Sequence, residues 1–296
     1  GDIVYGSLDN GSTWSNITSK VSGTTLSWDG VTLASSNTLK PKVTDSAGNN
    51  GTAASQAYVL DTTAPSITVV SIPNAPIKVG DSVTATITVA DDGGTTYTLG
   101  SSTIGGFTLS NLTRSNSTTY TADFTVTEGG ADVAAGSDIP VSLVLTDLAG
   151  NSNTAYTTAI SQGGDAINAH SPTDIALSNT SVATIAGANA VVGTLTSSDA
   201  TSGETFTYSL VAGAGSTDNA SFNISGNDLR ANDASGLTAG NSYNVRVRTT
   251  DAAGNSFDEA FTVNAVNNPT VTGITSSTAN GSYNAGDVIS IQVTFS

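Results

Sequence analysis

Acidic side chains provide most of the chemistry that this sequence offers, and almost all of them are aspartates in turn-like stretches. The chain has 296 residues, with 24 Asp and Glu against eight Lys and Arg, a net charge of −16, one histidine and no cysteine. Turn aspartates can solvate a surface or hold a hard cation through their carboxylate oxygens. Their positions relative to the strands therefore decide which chemistry is available.

One six-residue phrase containing an aspartate occurs three times. It reads T-D-x-A-G-N, begins at Thr44, Thr146 and Thr250, and recurs at spacings of 102 and 104 residues. Each copy follows an alternating apolar run and precedes a short Thr/Ser-rich run, a pattern that predicts a strand, a tight turn and a strand. A period near 100 residues is the size of one β-sandwich module, so the phrase marks the same hairpin in successive modules.

Sandwich topology predicts which loops lie together. Counting strand reversals puts the loop after the second strand and the loop between the last two strands at the end where the chain enters the module. In the second module this end collects four aspartates without a nearby Lys or Arg: Asp61, Asp91, Asp92 and Asp147. Such carboxylates repel one another unless they are neutralised, and oxygen-only ligands suit Ca²⁺. The alternative is that each Asp accepts hydrogen bonds within its own turn.

The same topology predicts two smaller calcium sets. The third module contributes Asp165, Asp199 and Asp251. The first module contributes Asp2 and Asp45, and Asn267 or Asn268 of a preceding subunit would complete that set. Ca²⁺ at these positions would stiffen the linkers between modules rather than take part in a reaction.

Catalysis has few candidate residues. His170 lies beside Ser171 and Pro172 in a linker without a nucleophile arrangement, and the glutamates lie in different strands or turns: Glu128, Glu204 and Glu259. The absence of cysteine excludes thiol catalysis, disulfides and thiolate metal sites. We therefore expect no catalytic residues and a protein that is not an enzyme.

Charge and hydropathy bound the partners and the fold. Eight basic residues are too few for a nucleic-acid-binding surface. The sequence contains no run of about 18 apolar residues, so we expect no membrane insertion. Short alternating runs rich in Thr, Val, Ile and Tyr, without a sustained helical period, predict an all-β chain. The expected architecture is a rod of tandem immunoglobulin-like (Greek-key) β-sandwiches.

The predicted strands divide the chain into four parts. Residues 1–61 form a partial sandwich that lacks its first strands, 62–165 and 166–267 form complete sandwiches, and 268–296 supply the first two strands of a further sandwich. Two explanations of the incomplete parts remain open. The sequence is a window from a longer repeat array, or subunits join head to tail, with residues 268–296 of one completing residues 1–61 of the next.

Several stretches carry a family resemblance. Asp9-Asn10-Gly11 followed by Ser12-Thr13-Trp14, the T-D-x-A-G-N turns and the linker Asp61-Thr62-Thr63-Ala64-Pro65 resemble the bacterial immunoglobulin-like repeats of giant surface adhesins. This resemblance implies secretion to the cell surface, rod-like tandem packing and Ca²⁺ between modules.

Residues 166–267 resemble a bacterial cadherin-like repeat, through the stretches 172–178, 206–211, 218–224 and 250–251. The module departs from that pattern at Thr184, where such repeats usually place a Glu ligand, and in the loop 199–203, where two Asp residues are usual. The resemblance therefore implies fewer calcium ligands here than in the family.

These observations predict an extracellular structural or adhesive protein. It would serve as a repeat shaft or as the head-to-tail protomer of a surface filament, and it would contact copies of itself or neighbouring repeats of the same chain. The alternative is a carbohydrate-binding module of a secreted protein. Neither interpretation identifies an adhesion target.

Overall fold

β-Strands dominate the structure. The computed structural model describes residues 1–92, 96–161, 163 and 166–295. These residues form 27 strands and four single-turn 3₁₀ helices, and no α-helix occurs among them; the 3₁₀ helices are η1 Thr18–Lys20, η2 Thr184–Ala186, η3 Asn219–Ser221 and η4 Ala234–Gly236. The all-β prediction is confirmed. In this described part of the chain, no helix is long and apolar enough to cross a membrane.

The N-terminal segment (residues 1–60) has one main sheet and little core. Its strands are β1 Ile3–Ser7, β2 Ser15–Asn16, β3 Val21–Ser22, β4 Thr25–Leu26, β5 Asn37–Thr44 and β6 Gln56–Tyr58. The sheet order is β2-β1-β5-β6, and β3 and β4 form a separate hairpin. Trp28 lies against the backbone of Gly6, where a Cβ would collide with its ring. Ile17 is the one apolar side chain of this fully described segment that is buried.

The second sandwich follows with eleven short strands. They are β7 Ile67–Ser71, β8 Ile77–Lys78, β9 Ser82–Val89, β10 Thr98–Leu99, β11 Thr103–Ile104, β12 Phe107–Thr108, β13 Ser110–Arg114, β14 Thr119–Thr125, β15 Val141–Ser142, β16 Leu145–Thr146 and β17 Ile167–Asn168. One layer has the order β13-β14-β9-β7. The other layer is built from the pairs β10–β16 and β11–β15, with β12 beside β11. β17 pairs in parallel with β8 and closes one side of the sandwich.

Alternation along two neighbouring strands builds the core of the second sandwich. In β9 every second residue from Val83 to Val89 is buried, and in β14 Tyr120, Ala122 and Phe124 are buried. The Tyr97 and Tyr120 rings lie 5.1 Å apart between centroids. Alternating apolar side chains point to one face of a strand, so pairing β9 with β14 puts both apolar rows into one core.

The third sandwich has two four-stranded layers. Its strands are β18 Asp174–Leu177, β19 Ser181–Ala183, β20 Ala188–Ser198, β21 Thr207–Leu210, β22 Phe222–Ser225, β23 Asp228–Asp233, β24 Ser242–Thr250 and β25 Ser256–Val266. The layer orders are β18-β20-β23-β22 and β19-β25-β24-β21, with β19 parallel to β25. A separate core fills the space between these layers and includes Leu195, Leu229 and Val247.

The C-terminal hairpin consists of β26 Val271–Thr275 and β27 Gln292–Phe295, which pair antiparallel. The four-part division predicted from the sequence, at 1–61, 62–165, 166–267 and 268–296, stays a prediction. Packing adds one detail to it, because Ile167 and Ala169 lie in the core of the second sandwich. The connection to the third sandwich therefore begins after Ala169.

Candidate metal centre

The repeated T-D-x-A-G-N phrase folds into the same turn in all three copies. The backbone N–H of Asp45, Asp147 and Asp251 donates to the carbonyl of the Asn four residues later, at 2.9, 3.0 and 3.0 Å. The carboxylate of each Asp accepts from that Asn's backbone N–H at 2.8–2.9 Å and from its side-chain amide at 2.9–3.0 Å. The Gly before the Asn has a φ between +91° and +94°, which a residue with a Cβ rarely adopts.

The electrostatics of the turn follow from these bonds. Hydrogen bonds from the Asn49 side chain, and then from its backbone, lower the pKa of Asp45. The Asn151 side chain does the same first for the pKa of Asp147, against an opposing effect of burial. In both copies the carboxylate therefore stabilises its own hairpin, as the turn-capping alternative predicted.

Only the third copy brings its aspartate into a carboxylate cluster. Asp199, Glu204 and Asp251 bring ligand oxygens within 4.8 Å of one another, the one such group of three in the described residues. Asp251 is buried at the end of β24, and the loop 199–205 supplies the other two side chains. One carboxylate oxygen of Asp199 and one of Glu204 are buried without a hydrogen-bond partner.

The end of the second sandwich contributes to the same cluster. The side-chain amide of Asn168, itself buried, donates to a Glu204 oxygen and, at 3.3 Å, to Asp251 Oδ2. Asn168 Oδ1 in turn accepts the backbone N–H of His170 at 2.9 Å. One amide therefore holds two carboxylates, and the unpartnered oxygens of the cluster belong to Asp199 and Glu204.

Burial and the neighbouring carboxylates both affect the pKa of Glu204. Burial, followed by the charges of Asp199, Asp251 and Asp132, raises the pKa of Glu204 to about 7. Asp132 behaves differently, because hydrogen bonds from Ala169, Thr201 and His170 outweigh the effect of burial and lower its pKa. The anionic form of the Glu204 carboxyl is thus disfavoured relative to a free glutamate, and a nearby cation would favour it.

Direct hydrogen bonds surround the cluster and join the two sandwiches. Lys78 Nζ donates to the carbonyl of Gly254 at 2.8 Å, and the backbone N–H of Val79 donates to Asn255 Oδ1 at 3.1 Å. On the other side Thr201 Oγ1 donates to Asp132 Oδ2 at 2.7 Å. A cavity of about 600 Å³ next to Glu204 is lined by residues of both sandwiches.

The four aspartates predicted for the second module do not form such a cluster. Asp61, Asp91 and Asp92 line one cavity of about 410 Å³. Asp147 reaches this region through Asn151, whose side chain donates to the Asp61 carbonyl at 3.2 Å, and Asp92 accepts the hydroxyl of Tyr97. No three of these four carboxylates bring ligand oxygens within 4.8 Å of one another among the residues described. Calcium at this set stays a prediction.

The remaining predicted ligands have separate outcomes. Asp165 lies outside the described residues. Asp2 is exposed at the same sheet end as Asp45, because Ile3 pairs with Thr44. Asp45 is engaged in its own turn, and calcium at this pair also stays a prediction. Asp199 and Asp251, in contrast, lie together as the topology predicted.

Sequence reasoning missed Glu204 and Asn168. From the sequence, Glu204 is named only among the glutamates that could take part in catalysis. Its position five residues after Asp199, in a loop containing Gly203 with a φ of +82°, was the available signal, because such a loop can turn a side chain back to the previous one.

The donor set fits a hard divalent cation such as Ca²⁺. It offers only oxygen ligands and three carboxylates, and it has two buried oxygens that lack partners. Nitrogen and sulfur ligands are missing from this cluster, which disfavours Zn²⁺. Asn168 holds Glu204 and Asp251 in place and so preorganises two of the three ligands.

The fold defines a class of protein, that of tandem immunoglobulin-like β-sandwiches. Within the chain, residues 61–162 match the family model described as a bacterial Ig-like domain. The second sandwich is therefore similar to bacterial Ig-like domains, and the sequence resemblance is confirmed for this part of the chain. No curated protein matches the chain at a significant level.

Solved structures similar to the chain include cadherin ectodomains. A protocadherin gammaB4 extracellular domain has 14% identity and a TM-score of 0.31 over 89% of this chain and 46% of its own. Drosophila N-cadherin EC1-3 has 15% identity and a TM-score of 0.26 over 82% of this chain and 80% of its own. The chain spans 59% and 46% of two protocadherin gamma B2 structures. At these TM-scores no site can be transferred from them.

Proposed function

We propose that the protein is an extracellular structural element, a shaft of tandem sandwiches in a surface adhesin or a surface filament. The bacterial Ig-like domain at residues 61–162 supports this class. Two well-packed cores, one in each complete sandwich, support a mechanical role, because each core is closed by non-local strand pairs.

The observation that carries the proposal is the junction between the second and third sandwiches. Side chains and backbone groups of both sandwiches exchange hydrogen bonds there, at Lys78 with Gly254, Val79 with Asn255, and Asp132 with Thr201. A flexible linker would not need these contacts. Their number and their spread over two sides of the junction favour one relative orientation of the two sandwiches.

Calcium is the proposed stiffening agent of this junction. Asp199, Glu204 and Asp251 would hold it, and Asn168 would position two of them from the second sandwich. A bound Ca²⁺ supplies two positive charges that offset most of the charge of the three carboxylates. An affinity on the order of 10⁻⁴ to 10⁻³ M is typical of extracellular modules. The junction would then be stiff outside cells, where calcium is abundant.

Solution scattering tests the proposed stiffening. The maximum dimension and the flexibility of the wild-type chain are measured in 5 mM Ca²⁺ and in chelator. We expect a longer, less flexible particle with Ca²⁺ and no such response in Asp199→Asn. Asp138→Asn, which removes an exposed carboxylate elsewhere, should respond like the wild type. A particle that is equally flexible in both solutions, or an Asp199→Asn chain that still responds, contradicts the proposal.

Self-association is the finer part of the proposed function. Copies of the chain would join head to tail, or neighbouring repeats of one longer chain would make the same contact. Electron microscopy of the native material distinguishes a filament, seen as long uniform fibres, from a shaft that appears as short isolated rods. Specific binding in a glycan array would instead favour a carbohydrate-binding module.

A further inference from the structure

The C-terminal hairpin repeats the first hairpin of the second sandwich pair for pair. In that sandwich, β7 and β9 pair Ile67 with Val89, skip one residue, and continue from Val69–Thr88 to Ser71–Thr86. In the C-terminal hairpin, β26 and β27 pair Val271 with Phe295, skip one residue, and continue from Gly273–Thr294 to Thr275–Gln292. The two hairpins have the same register and the same bulge, so residues 292–295 correspond to residues 86–89.

The turn before the second strand extends this correspondence. Asp81 Oδ2 accepts the backbone N–H of Lys78 at 3.0 Å, and Asp287 Oδ2 accepts that of Asn284 at 2.6 Å. The preceding glycine has a φ of +87° in one turn and +101° in the other. The turn 284–287 and the paired residues 292–295 therefore match 78–81 and 86–89, and the equal spacing puts residues 288–291, which precede β27, in correspondence with 82–85.

Apolar side chains that are buried in one hairpin are exposed in the other. The row in β9 is at most 8% exposed: Val83, Ala85, Ile87 and Val89. The corresponding row is 44–64% exposed: Ile289, Ile291, Val293 and Phe295. β9 is buried because β14 pairs along its other edge and the opposite layer covers its face. The second sandwich thus shows what covers a hairpin of this kind.

The N-terminal segment has an unpaired strand edge beside an apolar groove. The pair β3–β4 has no further strand beside it in the described structure. Next to it lies an open groove of about 430 Å³, whose apolar lining comes from the hairpin and the main sheet: Val4, Val21, Leu26, Pro41 and Val43. Thr24-Thr25-Leu26 has the same Thr-Thr-apolar pattern as Thr118-Thr119-Tyr120, which includes the start of β14, the strand that pairs with β9.

We propose that the C-terminal hairpin of one copy docks into this groove of a second copy, with β27 along β4 and the row from Ile289 to Phe295 entering the groove. Because Tyr120 pairs with Ile87 in the second sandwich, Leu26 lies opposite Val293, and Trp28 lies opposite Ile291. The contact joins backbone pairing to burial of an exposed apolar row, as in strand addition to an open sheet. Since it is not self-complementary, it propagates into a filament. This inference rests on the proposed structural function and names its partner surface.

Sedimentation of the full chain over a concentration series tests the docking. The wild type should form linear oligomers as the concentration rises. Ile291→Asp should weaken association at least about tenfold, because it puts a charge into the groove. Val288→Asp is the matched control: it adds the same charge to the same stretch, but Val288 corresponds to the exposed Ser82 on the other face. Neither change affects the two sandwich cores.

A mixed disulfide tests the pairing, and the absence of native cysteine removes any background. A Thr25→Cys chain is mixed with a Thr294→Cys chain under mild oxidation, because the corresponding Thr119 and Thr88 are paired. Mass spectrometry should detect more of the mixed disulfide than of either symmetric one. A Thr272→Cys chain, with its cysteine on β26, should form no more mixed disulfide with Thr25→Cys than symmetric disulfide.

The outcomes separate this inference from the function on which it rests. A chain that stays monomeric, or that associates equally well as Ile291→Asp, overturns the docking. The proposed shaft function is then still judged by the calcium response in solution scattering. A mixed disulfide no more abundant than with Thr272→Cys overturns the pairing of β27 with β4.

Discussion

Replacing Glu204 by glutamine should stabilise the third sandwich without calcium and should lose that advantage when calcium is bound. Glu204 has its pKa raised from 4.5 to about 7, first by burial and then by Asp199 and Asp251. Below pH 4.5 the carboxyl is protonated in both the folded and the unfolded chain, and above pH 7 it is ionised in both. The wild type therefore loses stability as the pH rises through this window.

The pKa of Glu204 determines the size of the effect without calcium. A shift from 4.5 to about 7 corresponds to at most about 3 kcal/mol, and solvent screening of the partly exposed loop reduces this to roughly 1–2 kcal/mol. In chelator at pH 8, Glu204→Gln should therefore stabilise the third sandwich by roughly 1–2 kcal/mol. At pH 4.5 or below the variant should equal the wild type.

Calcium opposes this advantage of the variant. With a dissociation constant of about 10⁻⁴ to 10⁻³ M, 10 mM Ca²⁺ stabilises the wild type by about 1.4–2.7 kcal/mol. Glu204→Gln removes one of three carboxylates and most of this gain. The wild type should then gain more from Ca²⁺ than the variant, by roughly the full binding contribution.

Scanning calorimetry at pH 8, with 10 mM Ca²⁺ or with chelator, measures both effects. A change of 1 kcal/mol moves the midpoint of a domain of about 100 residues by roughly 4–8 °C. Asp138→Asn, which also removes one negative charge at an exposed position, should shift neither the calcium response nor the pH dependence. The assignment of Glu204 to a cation site would be refuted if Ca²⁺ stabilised Glu204→Gln as much as the wild type. It would also be refuted if the variant were less stable than the wild type in chelator at pH 8.

Further tests address the pH dependence of calcium binding, the Lys78 hydrogen bond and the core of the second sandwich. Calcium affinity, measured by isothermal titration calorimetry, should fall about tenfold from pH 8 to pH 6, because a carboxyl with a pKa of about 7 is mostly protonated at pH 6; an equal affinity at both pH values would contradict this. Lys78→Met should remove the hydrogen bond to Gly254 at a cost of about 0.5–1.5 kcal/mol, and it should increase the flexibility seen by solution scattering while the calorimetric transitions of the two sandwiches change little. Phe124→Ala, at a side chain that is 1% exposed in the second core, should cost about 3–5 kcal/mol, and should lower only the transition of the second sandwich, whereas Phe295→Ala, at an exposed position, should leave it unchanged.

The sequence predicted the repeated turn well because the turn is local. Asp147 and Asn151 are four residues apart, and the Gly between them supplies the positive φ, so the whole hydrogen-bonding unit lies within six residues. The same holds for Asp45 and Asp251. Alternating apolar runs such as that of β9 likewise predicted strands, because the two faces of a strand are separated by sequence parity alone.

The candidate metal site could be predicted only in part. The predicted strand order put Asp199 and Asp251 at the same end of the third sandwich, and the structure shows them close together. Each follows directly after a strand that ends there. It also predicted a convergence of Asp61, Asp91, Asp92 and Asp147 that the distances do not reproduce as a cluster. Strand order gives the end of a sandwich at which a loop lies, but a ligand set requires positions within a few ångströms, which depend on loop conformation and packing.

Local conformational preference and periodicity are sufficient to predict the all-β class, the module period and the capped turns. Only the folded chain shows which turn aspartate has carboxylate neighbours, how the two complete sandwiches contact each other, and which apolar rows stay exposed. Asp45, Asp147 and Asp251 make the same local hydrogen bonds, yet only Asp251 lies beside Glu204. The reason is that local bonds depend on residues a few positions apart, whereas burial and charge depend on what the folded chain brings alongside.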